Sequence, residues 1–416
     1  MSTSLPRGRD PYAALRYPEF RRLTAATFLI TVAILVQAVV LGYEVYLLTR
    51  DPLALGFVGL AEAVPFIALA LFGGHLADRR ERLTLMRWSL AIILLGSAGL
   101  ALLMQPAVRA HLTTGTQLAA VYGTVFLLGL ARGIYSPAAS SLKAFLVPRE
   151  LYPNSSAWIS SFWQAGAVVG PAAGGYAYAG FGLTGALEVV VGVLLVALWL
   201  IFGIAKRPVA PVESESLWKS LREGLAYVWR TRAILHSITL DMVSVFFGGV
   251  IAILPIYAED ILQVGAQGLG LLRAAPAVGA TLVMFLCAYF PPTERAWRNL
   301  LWSVTGFGVA TLIFAVSKNF WLSIVMLFLT GATDSVSVII RQTLLQALPP
   351  DHLRGRVVAV NSIFVSTSNE LGAFESGVAA KLLGVVPSVI FGGAMTLVTV
   401  GIVWRRSREL LAARLL

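Results

Sequence analysis

Charged side chains stand inside long apolar stretches of this sequence. A charge in a hydrocarbon-like segment is costly unless a counter-charge or water accompanies it, so each such residue is a functional candidate. An embedded carboxyl is suited to taking up and releasing a proton, because burial and a neighbouring cation both act on its ionisation. The acidic candidates are Glu44, Glu62, Asp241, Asp334, Glu370 and Glu375, and the basic ones are Arg132, Arg273 and Arg341.

The sequence lacks the residue patterns that metal binding, ATP hydrolysis and nucleophilic catalysis require. The single cysteine, Cys287, excludes a disulfide framework and a cysteine-rich metal site. The four histidines are scattered without metal-ligand spacing. The sequence has no Gly-x-x-x-x-Gly-Lys-Ser/Thr loop for the phosphates of ATP, and no arrangement suited to nucleophilic catalysis. We therefore expect no enzyme activity, no metal site and no cofactor.

Membrane-spanning helices must position the embedded charges. Hydrophobic residues make up 57% of the 416 and charged residues only 13%, whereas a soluble domain has about 25% charged residues. A helix needs about 20 apolar residues to cross the hydrocarbon core, and the apolar runs here are continuous, not alternating as in a barrel. Twelve runs qualify, at 23–48, 53–77, 86–105, 117–146, 157–179, 184–204, 233–258, 266–290, 299–317, 319–347, 358–382 and 385–404.

The longest polar break divides these spans six plus six. Residues 205–232 contain prolines, acidic residues and an amphipathic stretch at 217–229, which predicts a linker with a surface helix. The sequence thus predicts an all-α membrane protein of twelve transmembrane helices. Its parts are a six-helix bundle at 1–204, a cytoplasmic linker at 205–232 and a second six-helix bundle at 233–416.

Basic residues are distributed unevenly between the two sides of the predicted spans. With the N-terminus inside, the cytoplasmic segments hold 25 of the 32 Lys and Arg residues, the outer loops hold 4 and the spans hold 3. This asymmetry predicts that both termini are cytoplasmic. The net charge of +11 therefore indicates topology and contact with anionic lipid, not nucleic-acid binding.

Two internal matches indicate that the halves are repeats. Gly59–Pro65 in span two matches Gly270–Pro276 in span eight, and Pro148–Leu151 after span four matches Pro350–Leu353 after span ten. Two halves in the same orientation form a parallel repeat about an axis along the membrane normal. The sequence therefore predicts two pseudo-symmetric bundles.

The end of span two carries the first motif of a known family. Gly74, Asp78, Arg79 and Arg82 resemble the loop 2–3 signature of the major facilitator superfamily, Gly-x-x-x-Asp-Arg-x-Gly-Arg, with Glu81 at the second glycine. In that family the carboxylate acts as a cytoplasmic latch with span eleven. The resemblance implies that Arg354 and Arg356 are the partners of Asp78, holding the cytoplasmic side closed.

Span five carries an array that is similar to the superfamily's antiporter signature, which is enriched in exporters. The array comprises Gly166, Gly170, Pro171, Gly174 and Gly175, and Ala157 replaces a leading glycine. Pro171 lacks an amide donor and crowds the preceding turn, so span five is expected to bend. Glycines four residues apart let a neighbouring backbone approach closely. We expect this helix to seal one side of a pathway.

Three segments of the second half resemble the enterobactin-exporter-like branch of the superfamily, which also includes macrolide exporters. These segments are Arg341–Leu345, Arg354–Arg356 and Asn369–Gly377. The resemblance implies a secondary transporter that works by alternating access. We expect proton-coupled export of an amphiphilic small molecule, such as a siderophore or drug, by a monomer in a bacterial inner membrane. An importer, a lipid flippase and a non-transporting sensor or scaffold are the alternatives.

The repeat and the family together sharpen the candidate site. Glu62 is equivalent to Arg273, and Arg132 to Asp334, so opposite charges at related positions are expected to face each other or to line one cavity. In this family spans one, four, seven and ten line the central cavity. This selects Asp334, Arg132, Asp241 and Glu44, and Asp334, with Arg132 as its nearby cation, is the first candidate for proton coupling.

Overall fold

In a computed structural model, the described residues are 10–206 and 217–412, without the side chains of 70–79, 144, 217–220 and 412. Every regular element in this part of the chain is a helix. The long helices are α1 (Pro18–Thr49), α2 (Pro52–Arg79), α3 (Arg82–Leu103), α4 (Thr114–Leu142), α5 (Tyr152–Phe202), α6 (Leu217–Arg230), α7 (Arg232–Gly248), α8 (Gly265–Tyr289), α9 (Ala296–Val316), α10 (Phe320–Ala347), α11 (Asp351–Leu383) and α12 (Val385–Arg406).

The helices reproduce the twelve predicted spans. Ten helices among the described residues are long and apolar enough to cross a membrane. One of them, α5 with its leading turn, contains predicted spans five and six, and the less apolar α11 completes the twelve. Helices suit this environment because hydrocarbon offers the backbone no hydrogen-bond partner, and a helix satisfies its own amides and carbonyls.

The turn between spans five and six is made at one residue. Gly182 has φ of 67° and ψ of −171°, and it is the residue of α5 with non-helical dihedral angles. An L-residue rarely adopts a positive φ, which explains why glycine is present. Pro171, where the sequence predicts a bend, lies inside the helix with helical dihedral angles on both sides. The turn at Gly182 lies in the predicted gap between spans five and six, and a bend at Pro171 stays a prediction.

Short helices occupy the loops and extend α7. They are Ala14–Arg16, Pro106–Arg109, Lys143–Phe145, Arg149–Leu151, Val250–Ile253, Leu254–Ile256, Tyr257–Ile261 and Arg408–Ala412. The segment Tyr257–Ile261 is a π-helix that brings two acidic residues to the end of span seven. We call that end of the molecule, which also carries the α1–α2 turn, the distal face. The opposite end, where α1 begins and α12 ends, is the terminal face.

Helix packing follows two patterns. Within each half, α1 packs along α5 and α2 along α4, as α8 packs along α10 and α9 along α12. Between the halves there are two main seams, α5 against α8 and α2 against α11. The seams place the N-terminal half and the C-terminal half side by side, with the embedded charges at and beside their boundary.

The predicted linker helix is α6, and it packs on the second half. Glu223 forms an ion pair with Arg356 of α11. A Cβ at Gly224 would lie 2.7 Å from the carbonyl oxygen of Arg356, so the two backbones are in close contact. The Tyr227 hydroxyl donates to the Leu348 carbonyl at 2.8 Å. These contacts attach α6 to the terminal face of the second half.

Candidate functional site

A charged cluster joins the two halves at mid-height. Arg132 of α4 forms an ion pair with Glu62 of α2 in its own half. Its guanidinium also lies 3.7 Å from the carboxylate of Glu370 on α11, in the other half. The same group stands 5.4 Å from the centre of the Phe66 ring, in cation–π range. We call Glu62, Arg132 and Glu370 the bridging cluster, because one cation contacts a carboxylate from each half.

Small residues position the bridging cluster. A Cβ at Gly129, one turn before Arg132, would lie 2.3 Å from the Glu62 carbonyl oxygen, so α2 and α4 meet backbone to backbone there. A Cβ at Gly59, one turn before Glu62, would lie 2.6 Å from the Cβ of Ala373 on α11. Close packing of small residues lets transmembrane helices approach in this way. The three charged side chains are therefore brought within reach by the glycines beside them.

Arg273 of α8 belongs to the same region. Its guanidinium donates to the Ile251 carbonyl at 3.3 Å and lies beside Gly42 of α1, across the boundary between the halves. Its buried Nε has no hydrogen-bond partner among the described residues, and Glu62 is the charged group that acts on it. The relation between the repeat-equivalent residues Glu62 and Arg273 stays a prediction, because the ion-pair partner of Glu62 is Arg132.

A second cluster lies inside the C-terminal half. Asp241 of α7 and Arg341 of α10 form an ion pair, with only 5% and 2% of their surfaces exposed. Asp334 lies two turns before Arg341 on α10, and the charges that act on it are those of Asp241 and Arg341. It lines a small cavity between α7, α9 and α10, together with Ser303. We call Asp241, Asp334 and Arg341 the internal cluster.

The internal cluster corrects two predictions. Arg132 is not the cation near Asp334, because its guanidinium contacts Glu62 and Glu370 while Arg341 occupies that role. The repeat-equivalent pair, Arg132 and Asp334, is therefore not brought together. Asp334 also lines a cavity within one half, not a space between α1, α4, α7 and α10. Both differences arise because the rotation of each helix about its own axis, relative to its neighbours, cannot be predicted from residue spacing.

Glu44 is engaged within the N-terminal half. It is 3% exposed and accepts from the Arg109 guanidinium and the Tyr178 hydroxyl, each at 2.5 Å. Arg109 comes from the loop before α4, so this contact lies toward the distal face. The expectation that Glu44 projects into a central cavity is therefore corrected: its carboxylate joins α1, α5 and a loop.

The distal face is closed by polar contacts between the halves. Tyr43 donates to Glu259 at 2.5 Å, and Tyr46 donates to Asp260. Arg50, at the end of α1, pairs with Asp260 at 2.9 Å and with Glu259 at 3.3 Å. We call these five residues the distal clasp. Sequence reasoning missed it, although a tyrosine-rich end of span one and an acidic pair after span seven were visible signals.

A fifth contact between the halves extends the closure beyond the clasp. The Lys381 ammonium at the end of α11 lies 2.9 Å from the carboxylate of Asp51 in the α1–α2 turn. The hydrogen bond from Lys381 holds the pKa of the Asp51 carboxyl below its usual value. Because this pair also joins the two halves, it adds to the closure of the distal face.

The α5–α8 seam is tight at one end and open at the other. A Cβ at Gly175 would lie 2.4 Å from the Ala266 carbonyl oxygen and 2.9 Å from the Cα of Gly270, so the backbones touch in the distal half. Toward the terminal face the helices separate around a cleft of about 600 Å³, lined by Gln164, Val168 and other residues of both helices. The Gln164 side-chain amide donates to the Ala277 carbonyl of α8 at 2.9 Å, so a polar contact spans the seam beside the cleft.

The other glycines of the span-five array serve a different contact. Cβ atoms at Gly166, Gly170 and Gly174 would lie 2.9, 2.8 and 3.0 Å from atoms of α1, in the same half. Most of the array therefore packs against α1 within one half, while Gly175 and the Pro171 carbonyl contact α8 of the other half.

The predicted latch falls partly on side chains that the structure does not describe: Gly74, Asp78 and Arg79 lie outside the described set. Arg82 stacks over the ring of Phe145 at 4.6 Å. Arg354 pairs with Asp351 at 2.7 Å, and Arg356 pairs with Glu223 of the linker helix. Glu375, the remaining candidate, lies on α11 and borders two cavities: a small pocket with Ser376 and Ser388, and a larger groove with Leu371 and Val378.

The chain is similar to known proteins in both sequence and fold. The model of the Major Facilitator Superfamily matches residues 23–373. The enterobactin exporter EntS of Shigella flexneri is 26% identical over 409 residues, covering 94% of both chains. EntS of Salmonella typhi is 25% identical over 391 residues, covering 92% of this chain and 91% of the other. A crystal structure of the peptide transporter POT with sulfate superimposes with a TM-score of 0.75 at 14% identity, covering 94% of both chains.

The structural likeness shows the fold, and the sequence match extends over most of the twelve helices. The family predicted from the motifs at spans two and five is confirmed. The chain therefore belongs to the major facilitator superfamily and is a multi-pass secondary transporter of that family.

Proposed function

We propose that the protein exports an amphiphilic small molecule, a siderophore or a drug, in exchange for protons. The observation that carries this proposal is the match to proteins named enterobactin exporter along 94% of the chain. A match over nearly the whole chain supports the same transport direction. The span-five glycine array, similar to the antiporter signature, points the same way.

Alternating access is supported by the difference between the two ends. At the distal face the halves are joined by the distal clasp and by the Asp51–Lys381 pair. Toward the terminal face the α5–α8 seam opens into its cleft. A transporter that rocks its halves about a central site needs one closed end and one open end at a time. In this proposal the halves at 1–204 and 233–416 are the moving bodies, and 205–232 connects them.

Proton coupling is proposed for the bridging cluster. Arg132 has two carboxylate neighbours, one in each half, so separation of the halves at this height changes the surroundings of Glu370. A carboxyl that loses a nearby cation more readily takes up a proton. Loading Glu370 with a proton would then accompany one direction of the rocking motion. Asp334, the candidate from the sequence, stays a prediction and is the alternative location.

The proposed setting is a bacterial inner membrane, with the terminal face in the cytoplasm. The asymmetry of 25 basic residues against 4 supports this orientation. With it, the cleft opens to the cytoplasm and the distal clasp closes the outside. Single cysteines at Ser214 in the linker and Thr114 at the start of α4 test it. Impermeant maleimide should label the two from opposite sides, and labelling of both from one side would refute the orientation.

Direction and coupling are tested by flux into inside-out vesicles. With an imposed gradient, acid inside, vesicles containing the protein should accumulate enterobactin or a macrolide, and a protonophore should abolish the accumulation. The matched control is vesicles without the protein. Accumulation in right-side-out vesicles instead, with the gradient reversed accordingly, would establish an importer. Absence of gradient-dependent movement for every compound in a broad panel would favour a sensor or scaffold.

A further inference from the structure

Glu375 is an acidic residue of a membrane-spanning helix that lacks a counter-charge. Among the residues that the structure describes, its carboxylate forms no ion pair and no side-chain hydrogen bond. Unpaired carboxylates in hydrocarbon are costly and are rarely present without a function. Glu370, five residues earlier on the same helix, has Arg132 nearby, so the two carboxylates of α11 have different surroundings.

The faces of α11 show where Glu375 points. One face packs on α2, where Gly377 opposes Gly56 and Ala373 opposes Gly59. A second face packs on α7, where the Ser376 hydroxyl donates to the Gly249 carbonyl at 2.9 Å. The groove side of the helix is a third face, with members spaced by four, three and four residues, as one side of a helix requires. It comprises Leu371, Glu375, Val378 and Leu382.

This third face is apolar apart from Glu375. It borders a groove of about 490 Å³, with the rings of Phe374 and Phe246 at its sides. Leu382, at the distal end of the groove, is 77% exposed. Because an exposed leucine on a spanning helix meets acyl chains, the groove opens toward the bilayer. Its volume falls within the range of small-molecule sites, about 300–1,000 Å³.

Depth excludes a simpler explanation, in which the carboxylate reaches the headgroup region. Glu375 lies eight residues before the end of α11 at Leu383, which is about 12 Å along the helix axis. Long basic side chains bridge such distances by snorkelling. A glutamate side chain is too short to do so, and its charge therefore stays at the depth of the groove.

We propose that Glu375 and this groove bind an amphiphilic cation, a protonated amine or quaternary centre on an aromatic body, which enters from the bilayer. The carboxylate supplies the counter-charge, the aliphatic residues of α11 bury the body, and Phe246 and Phe374 offer aromatic faces to a cation. The site lies on the opposite side of α11 from the α2 seam. Binding here requires no gradient and no export, so it stands or falls separately from the proposed function.

Binding is measured on the full-length protein in phosphatidylcholine nanodiscs, with rhodamine 6G as the cationic probe and anisotropy as the signal. The Glu375→Gln variant keeps the shape and removes the charge, and its Kd should rise about tenfold, the loss of one charge-assisted contact. Glu375→Asp, which keeps the charge, should bind as the wild type does. Glu188→Gln, which changes an exposed carboxylate hydrogen-bonded to Gln105, is the matched control and should leave the Kd unchanged.

A neutral ligand of similar size separates charge from shape. Nile red should bind wild type and Glu375→Gln alike, while Val378→Phe, which fills the groove, should weaken both ligands. Thermal unfolding of Glu375→Gln verifies folding, and we expect no loss of stability, because an unpaired charge is removed from hydrocarbon. Wild-type affinity of Glu375→Gln for rhodamine 6G would overturn the proposal, as would equal loss of affinity in Glu188→Gln.

Discussion

The bridging cluster and the internal cluster contain similar residues in different settings. In the internal cluster, Asp241 and Arg341 pair within one half and are almost completely buried. In the bridging cluster, Arg132 is shared between Glu62 of its own half and Glu370 of the other. A pair inside one half is retained however the halves move, so we expect it to stabilise the fold. A contact between halves changes whenever they separate, so it can report or drive a conformational change.

The glycines of α5 divide in the same way. Gly170 faces α1 of its own half, and Gly175, five residues later, faces α8 of the other. Five residues turn a helix through about 140°, so Gly170 and Gly175 lie on different faces of α5. The comparison therefore predicts that substitutions within a half affect stability, and that those between halves affect conformation and transport.

The largest effect is expected from breaking the internal pair. Arg341→Leu leaves Asp241 buried without its cation, which costs about 3–5 kcal/mol of stability for a pair of this kind. Thermal unfolding in detergent, followed by size-exclusion fluorescence, measures the loss. The double variant Arg341→Leu with Asp241→Leu removes both charges and should recover most of the stability. Wild-type stability of the single variant would show that the pair does not support the fold.

Transport should depend on the bridging cluster without a comparable loss of stability. Glu370→Gln is expected to abolish gradient-driven accumulation and to retain downhill exchange, because the variant binds cargo but has no proton to exchange. Asp334→Asn is the matched variant in the internal cluster, and it tests the location predicted from the sequence. Loss of coupling in Asp334→Asn alone would move the coupling site into the C-terminal half. Flux in proteoliposomes at equal protein content decides between them.

A substitution at the glycine between halves should shift the conformation. A Cβ at Gly175 would meet backbone atoms of Ala266 and Gly270, which cannot yield as a flexible side chain can. Gly175→Ala should therefore lengthen the distance between spin labels at Thr114 and Lys318, one on each half at the distal face. Gly192→Ala is the control, since nothing lies within 4 Å of a Cβ there. An unchanged distance in Gly175→Ala would contradict the role given to this seam.

The smallest effect is expected at Asp51. The hydrogen bond from Lys381 lowers the pKa of the Asp51 carboxyl when the distal face is closed. The pair therefore favours closure at neutral pH. This contribution declines as the pH falls below about 4, the ordinary pKa of an aspartate, and is lost once the pH passes the lowered pKa. An exposed pair of this kind contributes about 0.2–1 kcal/mol. Asp51→Asn should slightly lengthen the same spin-label distance at pH 7 and remove this part of its acid dependence. If the spin-label distance in Asp51→Asn depends on acid as it does in the wild type, the distal clasp alone closes this face.

The sequence was sufficient for the fold because hydropathy determines which segments cross the membrane. The predicted spans agree with the helices to within several residues, and the amphipathic stretch at 217–229 is part of α6. The turn at Gly182 was less visible, since the apolar residues on both sides leave only a short gap at 180–183. A glycine with positive φ can reverse a chain without the polar residues that normally mark a loop.

Partners of the embedded charges were predicted less well. The repeat alignment related Glu62 to Arg273 but also paired Arg132 with Asp334, which the structure separates. Position along a helix follows from counting residues, whereas the direction of a side chain depends on how each helix is rotated against its neighbours. Arg341, the true neighbour of Asp334, is in the same helix seven residues on. Because the two residues are two turns apart, they lie on the same side of α10. The sequence shows this relation once both residues are known to be embedded in the membrane.

The turn at Gly182 has a mechanical consequence. With a single residue between spans five and six, the two form a stiff hairpin with almost no slack. When the terminal half of span five swings to widen or narrow its cleft with α8, span six must travel with it at the periphery. In the proposed rocking motion, the cross-section that the protein presents to the lipid changes during each cycle. We therefore expect bilayer thickness and lateral pressure to affect the transport rate.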